Sequence, residues 1–298
     1  MTASSAIVLC KGPLSVGIAP AAGGSLTHLD VVRGGQRYAI LRRAIAAPVR
    51  IAAALNMASF PMIPYAGRLR AGRFEFEGRS IVYPLNAAPE IHSSHGDGFT
   101  REWHLTELGR ERAVLELSAD EHSPVQFECT QIVTVTESCV AIDLHARNRT
   151  AQPIPFEVGL HPYFAGRNEA TVSARLPLET RWDEQFMPLD TIANVRQAEF
   201  AGGMAARDLP IAAEYGGWDG HASIAWPGRG LRVQLSTDPP LHHVVVWAPE
   251  GEDFFCFEPA SHSVDSFNRH RLDPTLVPPF KLLPGESRAQ RCSFIVQQ

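Results

Sequence analysis

The chain has 298 residues, with 27 Lys and Arg against 32 Asp and Glu. That slightly negative balance, with no basic cluster, excludes a surface built to neutralise nucleic-acid phosphates. Apolar residues at 45% and charged residues at 20% exclude a disordered chain, and no apolar run is long enough to span a bilayer.

The N-terminal MTASSAIVLCKGPLSVGIAP has no basic stretch followed by a long apolar run, so no signal peptide is expected. Residues 25–32 and 36–41 flank Gly34-Gly35, a hairpin signal because glycine tolerates positive φ. Residues 44–57 are Ala-rich but contain Pro48, which predicts a loop with at most a short helix. Phe74 and Phe76 alternate with Arg73, Glu75 and Glu77, and Gly78 turns the chain into residues 80–83, a second hairpin. Ala113, Leu115 and Leu117 share one face of a strand. Val140, Ile142, Leu144 and Ala146 do the same, opposite Asp143, His145 and Arg147.

Residues 210–220 read as a loop between sheet segments. Leu231, Val233 and Leu235 repeat the alternation, residues 244–247 (Val-Val-Val-Trp) read as a strand buried on both faces, and residues 293–296 as a last strand. Period-two alternation repeated between turns predicts antiparallel sheets packed face to face, an all-β sandwich. With no internal repeat and no low-complexity linker, residues 1–298 read as one domain. The five cysteines, Cys10, Cys129, Cys139, Cys256 and Cys292, are odd in number, widely spaced and without a CxxC pair. They predict reduced thiols and a cytoplasmic location.

Four segments place polar residues among Pro, Gly and aromatics. In Phe60-Pro-Met-Ile-Pro-Tyr-Ala-Gly-Arg68, two prolines stiffen the approach to Arg68, whose fixed donors suit either sugar hydroxyls or a surface ion pair. His92-Ser-Ser-His95-Gly-Asp-Gly-Phe99, followed by Trp103, puts two histidines beside glycines where backbone can approach a ligand closely. The same pair is open to a structural reading, and its ligand set for a metal is incomplete. In Gly159-Leu-His161-Pro-Tyr-Phe164, Pro162 biases His161 toward extended backbone. An imidazole titrates near neutrality, which suits proton transfer. In Phe254-Phe-Cys-Phe-Glu258-Pro-Ala-Ser-His262, a carboxylate closes an apolar aromatic run, and glutamate is rarely buried without a partner or a task.

Taken in order, FPMIPYAGR, HSSHGDGF with Trp103 after it, GLHPYF, GGWDG with His221, CFEPASHSVDSFN and LPGE near the C-terminus resemble the aldose 1-epimerase, or galactose mutarotase, family. The similarity runs from about Gly23 to the last strand. It implies a large antiparallel β-sandwich, the galactose mutarotase-like supersandwich, with a sugar in a cleft on one sheet. It further implies His161 as general acid, Glu258 as general base, Arg68 and His95 on the substrate, His92 as a companion, and Asp219 as a sugar-binding carboxylate. Two positions depart from the family pattern: Gly67 stands where many members have Asn, and Gly220 where many have His. The identity of the sugar is therefore open.

The implied reaction is anomer interconversion by ring opening and closure, with no metal and no organic cofactor. The expected partner is a small sugar, with no nucleic acid and no membrane, acting on a monomer or homodimer. Tyr65, Trp103 and Phe164 are expected to pack on the sugar ring. Three other readings are a hexose-6-phosphate 1-epimerase, with Arg70 and Arg73 near Arg68 as phosphate ligands, a non-catalytic carbohydrate-binding sandwich, and a glycosidase.

Overall fold

A computed structural model describes residues 7–45, 53–86, 91–271 and 276–297. Strands dominate it, and its two α-helices, Gln197–Gly202 and Ser266–Arg269, are short. One sheet runs in the order Ile7–Lys11, Leu14–Ala19, Ser25–Arg33, Gln36–Leu41, Tyr163–Ala165, Phe254–Ala260, His243–Trp247, Ala212–Gly216, Leu178–Trp182, Pro188–Ala193. The second runs His104–Leu108, Arg112–Leu117, Glu128–Val135, Cys139–Arg147, Ser287–Gln297, Leu231–Asp238, His221–Trp226, Thr171–Ala174, Met204–Ala205. Neighbouring strands pair antiparallel in both sheets.

Alternation explains the stacking of the two sheets. In Cys139–Arg147 every second residue is buried, as the pattern of Val140, Ile142, Leu144 and Ala146 requires. The inner faces meet through rings such as Phe164, which stacks on Phe255 at 5.5 Å and reaches Phe294 of the other sheet at 6.2 Å. Both expected hairpins form. Gly34 and Gly35 have φ of 57° and 78°, and Glu77 and Gly78 have φ of 52° and 73°, the left-handed pair that a tight two-residue turn needs.

Three expectations are corrected. Residues 210–220 are not all loop, because Ala212–Gly216 is a strand in the first sheet. Small residues and Glu214 hid its alternation, in which Ala213 and Tyr215 face the core. Strand His243–Trp247 is not buried on both faces. Val244 and Val246 are fully buried in the core, whereas Val245 and Trp247 are partly open and line a cleft. Its continuous apolar run reflects an apolar cleft floor, not a second core. The last strand is longer than residues 293–296 and spans Ser287–Gln297. Of the Ala-rich stretch, Ala53–Asn56 form a 3-10 turn and residues 46–52 lie outside the described residues.

Candidate active site

Every residue of the strand Phe254–Ala260 is buried, for two different reasons. Phe255 and Phe257 enter the core between the sheets. Phe254, Cys256 and Ala260 join a smaller cluster on the outer face with Phe60, Met62, Ala66, Phe99 and Tyr163. Period two puts Glu258 on that outer face with them.

His161 sits between the strands Gly159–Leu160 and Tyr163–Ala165. Its backbone N–H donates to Phe60 O at 3.0 Å. Its ring is sandwiched by Phe60 at 4.6 Å and Tyr163 at 4.5 Å, which fixes the imidazole plane. The Arg42 guanidinium lies 3.6 Å from the Tyr163 ring centroid and continues the stack. Arg42 is itself held by donating to Met57 O at 3.1 Å and to Leu55 O. Nε2 of His161 lies 3.3 Å from Oε1 of Glu258, with both side chains almost wholly buried. Burial pushes the Glu258 carboxyl up to about 8, with Arg68 pulling the other way. Burial, then the neighbouring His95 ring and the Arg42 guanidinium, push the His161 imidazolium well down. Both shifts favour a pair that is neutral as a whole and shares one proton.

Arg68 and Ser94 are opposite each other in a short ladder that ties the two loop motifs together. Gly67 N–H donates to His95 Nδ1 at 3.2 Å, and His95 N–H donates to Gly67 O at 2.9 Å. With Nδ1 used as an acceptor, the neutral His95 ring carries its proton on Nε2 and acts as a donor. Burial, and second the Arg68 charge, hold its pKa down to about 3. The Arg68 guanidinium lies 5.2 Å from the Phe186 ring centroid.

Behind this loop, Asp265 N–H donates to Arg68 O at 3.1 Å, and Asp265 Oδ1 accepts from Arg70 N–H at 3.0 Å. Glu157 N–H donates to Pro64 O at 2.6 Å, while its carboxyl group accepts from the Ser266 hydroxyl.

A cleft of about 410 Å³ opens above the pair, and His161, Glu258, Arg68 and His95 all face it. The structure thus brings together four of the seven residues singled out in the sequence. The other three lie outside the cleft lining. His92 is buried and accepts from Ala71 N–H at 3.1 Å through Nδ1. Trp103 is a core residue whose indole N–H donates to Gly98 O at 2.9 Å. Asp219 is exposed, and its carboxylate accepts from His221 N–H at 3.2 Å.

The aromatics expected on the sugar ring are also corrected. Tyr65 and Phe164 join Trp103 in the main core, while Phe99, Tyr163, Trp182, Phe186 and Trp247 line the cleft. Trp247 was findable by alternation across Val246. Trp182 and Phe186 were not, because only the sheet order carries the strand Leu178–Trp182 and the turn after it to the site. Arg70 and Arg73 do not reach the cleft. Arg70 lies 3.6 Å from Asp265 in a half-exposed ion pair, and Arg73 lines a separate surface depression.

The family profile described as Aldose 1-epimerase matches residues 7–294. An uncharacterised Escherichia coli K12 protein, YphB, is 27% identical over 253 residues, covering 82% of this chain and 85% of its own. An E. coli K12 structure assigned provisionally as an aldose 1-epimerase superposes with a TM-score of 0.86 at 24% identity, covering 98% of this chain and 99% of that one. A galactose mutarotase-like protein from Clostridium acetobutylicum gives 0.85 at 18% identity, covering 98% and 95%.

Proposed function

Since the chain belongs to the aldose 1-epimerase family, we propose that it interconverts the α and β anomers of a free aldose, with His161 and Glu258 as the proton-transfer pair. The observation that carries this reading is the 3.3 Å approach of His161 Nε2 to Glu258 Oε1 at the floor of a sugar-sized cleft. A hemiacetal carries its ring oxygen and its hydroxyl on one carbon, so an acid and a base in contact reach both at once.

The pKa shifts of Glu258 and His161 rest the pair's one proton on Glu258, and in the reactive form it has crossed to His161 Nε2, leaving Glu258 the carboxylate and His161 the imidazolium. Glu258 removes the proton from the C1 hydroxyl, that O–H electron pair forms the C1=O bond, and the bond from C1 to the ring oxygen breaks. The departing ring oxygen takes the His161 proton. The pair still holds one proton, now on Glu258. Rotation about C1–C2 and closure on the other carbonyl face return that proton to the carbonyl oxygen, while His161 recovers one from the ring-forming hydroxyl. A complete cycle needs no proton from solvent. Arg68 and the Nε2 donor of His95 serve the oxygens on which negative charge builds.

Among the described residues that line the cleft, Arg68 is the sole Arg or Lys and Glu258 the sole carboxylate. A phosphorylated sugar calls for more cations, and a glycosidase for a second carboxylate, so a free sugar is favoured. The test is polarimetry on freshly dissolved α-D-glucose and α-D-galactose. The protein is expected to speed relaxation to the same final rotation. His161→Asn and Glu258→Gln should each lower turnover at least ~100-fold with the fold intact. Full activity in either variant would remove the pair from the mechanism.

A further inference from the structure

We propose that the floor of this cleft is also a binding site for a soft divalent cation of the zinc class, held by His161 Nε2, Cys256 Sγ and the Glu258 carboxylate, and that its occupancy stops the reaction. The inhibition rests on the acid–base reading above. The coordination does not.

Cys256 stands two residues before Glu258 on the strand Phe254–Ala260 and faces the same way. Cys256 is itself paired on both sides, with Tyr163 across one ladder and Trp247 across the other, so the backbone that presents it is fixed. One donor atom from each of His161, Cys256 and Glu258 lies within 4.8 Å of the other two. A tetrahedral zinc, with bonds of about 2.0 to 2.3 Å, holds its donors about 3.3 to 3.7 Å apart. The His161–Glu258 edge is already 3.3 Å, and Cys256 Sγ has to close from no more than 4.8 Å.

Imidazole, thiolate and carboxylate together select zinc-class ions over magnesium or calcium, which prefer oxygen alone. Three protein ligands leave a fourth position, and His161 and Glu258 both border the cleft, so water or a sugar hydroxyl completes the shell. Binding displaces the thiol proton and the single proton of the pair, both to solvent. The lone pairs that would relay the proton then belong to the metal, and catalysis ceases.

The supporting shell makes such a cation exchangeable. Nδ1 of His161 has no hydrogen-bond partner among the described residues, whereas a ligating histidine usually donates that nitrogen's proton to an acceptor. Missing partners of this kind typically weaken metal binding 10- to 100-fold. The geometry therefore points to a reversible inhibitory site.

The test uses the full chain. Cobalt(II), a spectroscopic stand-in for zinc, is titrated in while the near-ultraviolet thiolate-to-cobalt charge-transfer band is recorded for the wild type, Cys256→Ala and Cys256→Ser, each checked for its fold by circular dichroism. The band is expected in the wild type, bleached by added zinc, and absent from both variants. In polarimetry, zinc should inhibit the wild type and be reversed by a chelator. The half-inhibiting zinc concentration should rise at least ~10-fold in the variants, whose metal-free rates stay within about twofold of wild type because Cys256 moves no proton in the cycle. A wild type without the band, or variants as sensitive to zinc as the wild type, overturns the proposal. Absence of mutarotation on any sugar would count against the enzymatic reading alone, and the cobalt spectrum would still decide the metal site.

Discussion

Gly67 shows how one residue couples two distant motifs. Its φ is +72°, and a Cβ built there would stand 2.7 Å from Val264 Cγ2, closer than any real contact. Val264 fills the room that a side chain before Arg68 would use. That gives a physical reason for the departure at this position, where many family members carry Asn. Gly67 also exchanges two hydrogen bonds with His95, so a side chain forced in here displaces the donor as well as the loop. Gly67→Ala is expected to cost about 1–2 kcal/mol in stability from the left-handed backbone. It should also lower kcat/KM on the preferred sugar by about tenfold or more. Adding Val264→Ala removes the clash but not the backbone strain, so it should restore part of the rate and less of the stability. Thermal unfolding and polarimetry on both variants check this, and a neutral Gly67→Ala would show that the loop yields easily. The sequence displayed Gly67 as an anomaly. It could not display Val264 as its cause, because nothing local connects the two.

At the scale of elements, the stretch from Pro64 to Arg70 is held from behind by two acids. Asp265 takes the Arg70 N–H, and Glu157 takes the Ser266 hydroxyl while its own N–H holds Pro64 O. Neither acid was picked out from sequence. A Glu in Pro-Phe-Glu-Val-Gly reads as ordinary, whereas the Glu of Phe-Glu-Pro stood out because it closes an aromatic run. Catalytic candidates are legible where one residue type clashes with its neighbours. Their supports are set by strand pairing and leave no such mark.

Glu157 makes the difference measurable. Burial raises its carboxyl from 4.5 to about 8. Below about pH 4.5 both folded and unfolded chains hold the proton, so ionisation of this group costs the fold nothing. As pH rises toward about 8 the unfolded chain ionises while the folded one does not, and stability falls through that window before levelling off above it. Glu157→Gln removes this slope and keeps an acceptor for Ser266. In urea titrations the variant should match or trail the wild type at pH 5. By pH 8.5 it should have gained on the wild type by an amount on the order of a few kcal/mol. An equal difference at both pH values would mean that Glu157 ionises normally in the fold.

At the scale of the molecule, what the sequence showed well was alternation, and what it showed poorly was order. Val140 to Ala146 and Leu231 to Leu235 announced strands, but not that the strand Ser287–Gln297 runs between them. That placement makes the two ends of the described chain unequal. Ile7–Lys11 lies at an edge and pairs with Leu14–Ala19 alone in its sheet. Its loss strips one ladder and the buried Leu9, a cost of a few kcal/mol at most if the sheet beneath is intact. Ser287–Gln297 is the centre of the other sheet. Its loss leaves Cys139–Arg147 and Leu231–Asp238 each with a bare edge, and withdraws Cys292, Phe294 and Val296 from the core. Phe294 touches Phe164, three residues from His161, so the damage runs straight to the site. A chain starting at Gly12 should therefore unfold cooperatively at lower urea and keep mutarotating. A chain ending at Glu286 should lose its cooperative transition and its activity together, because two unpaired inner edges cannot be covered by water without opening the core. If the C-terminal truncation still unfolded in one sharp step and still turned over sugar, the centre of that sheet would have to be held by the face-to-face packing alone. The pairing through Ser287–Gln297 would then be dispensable.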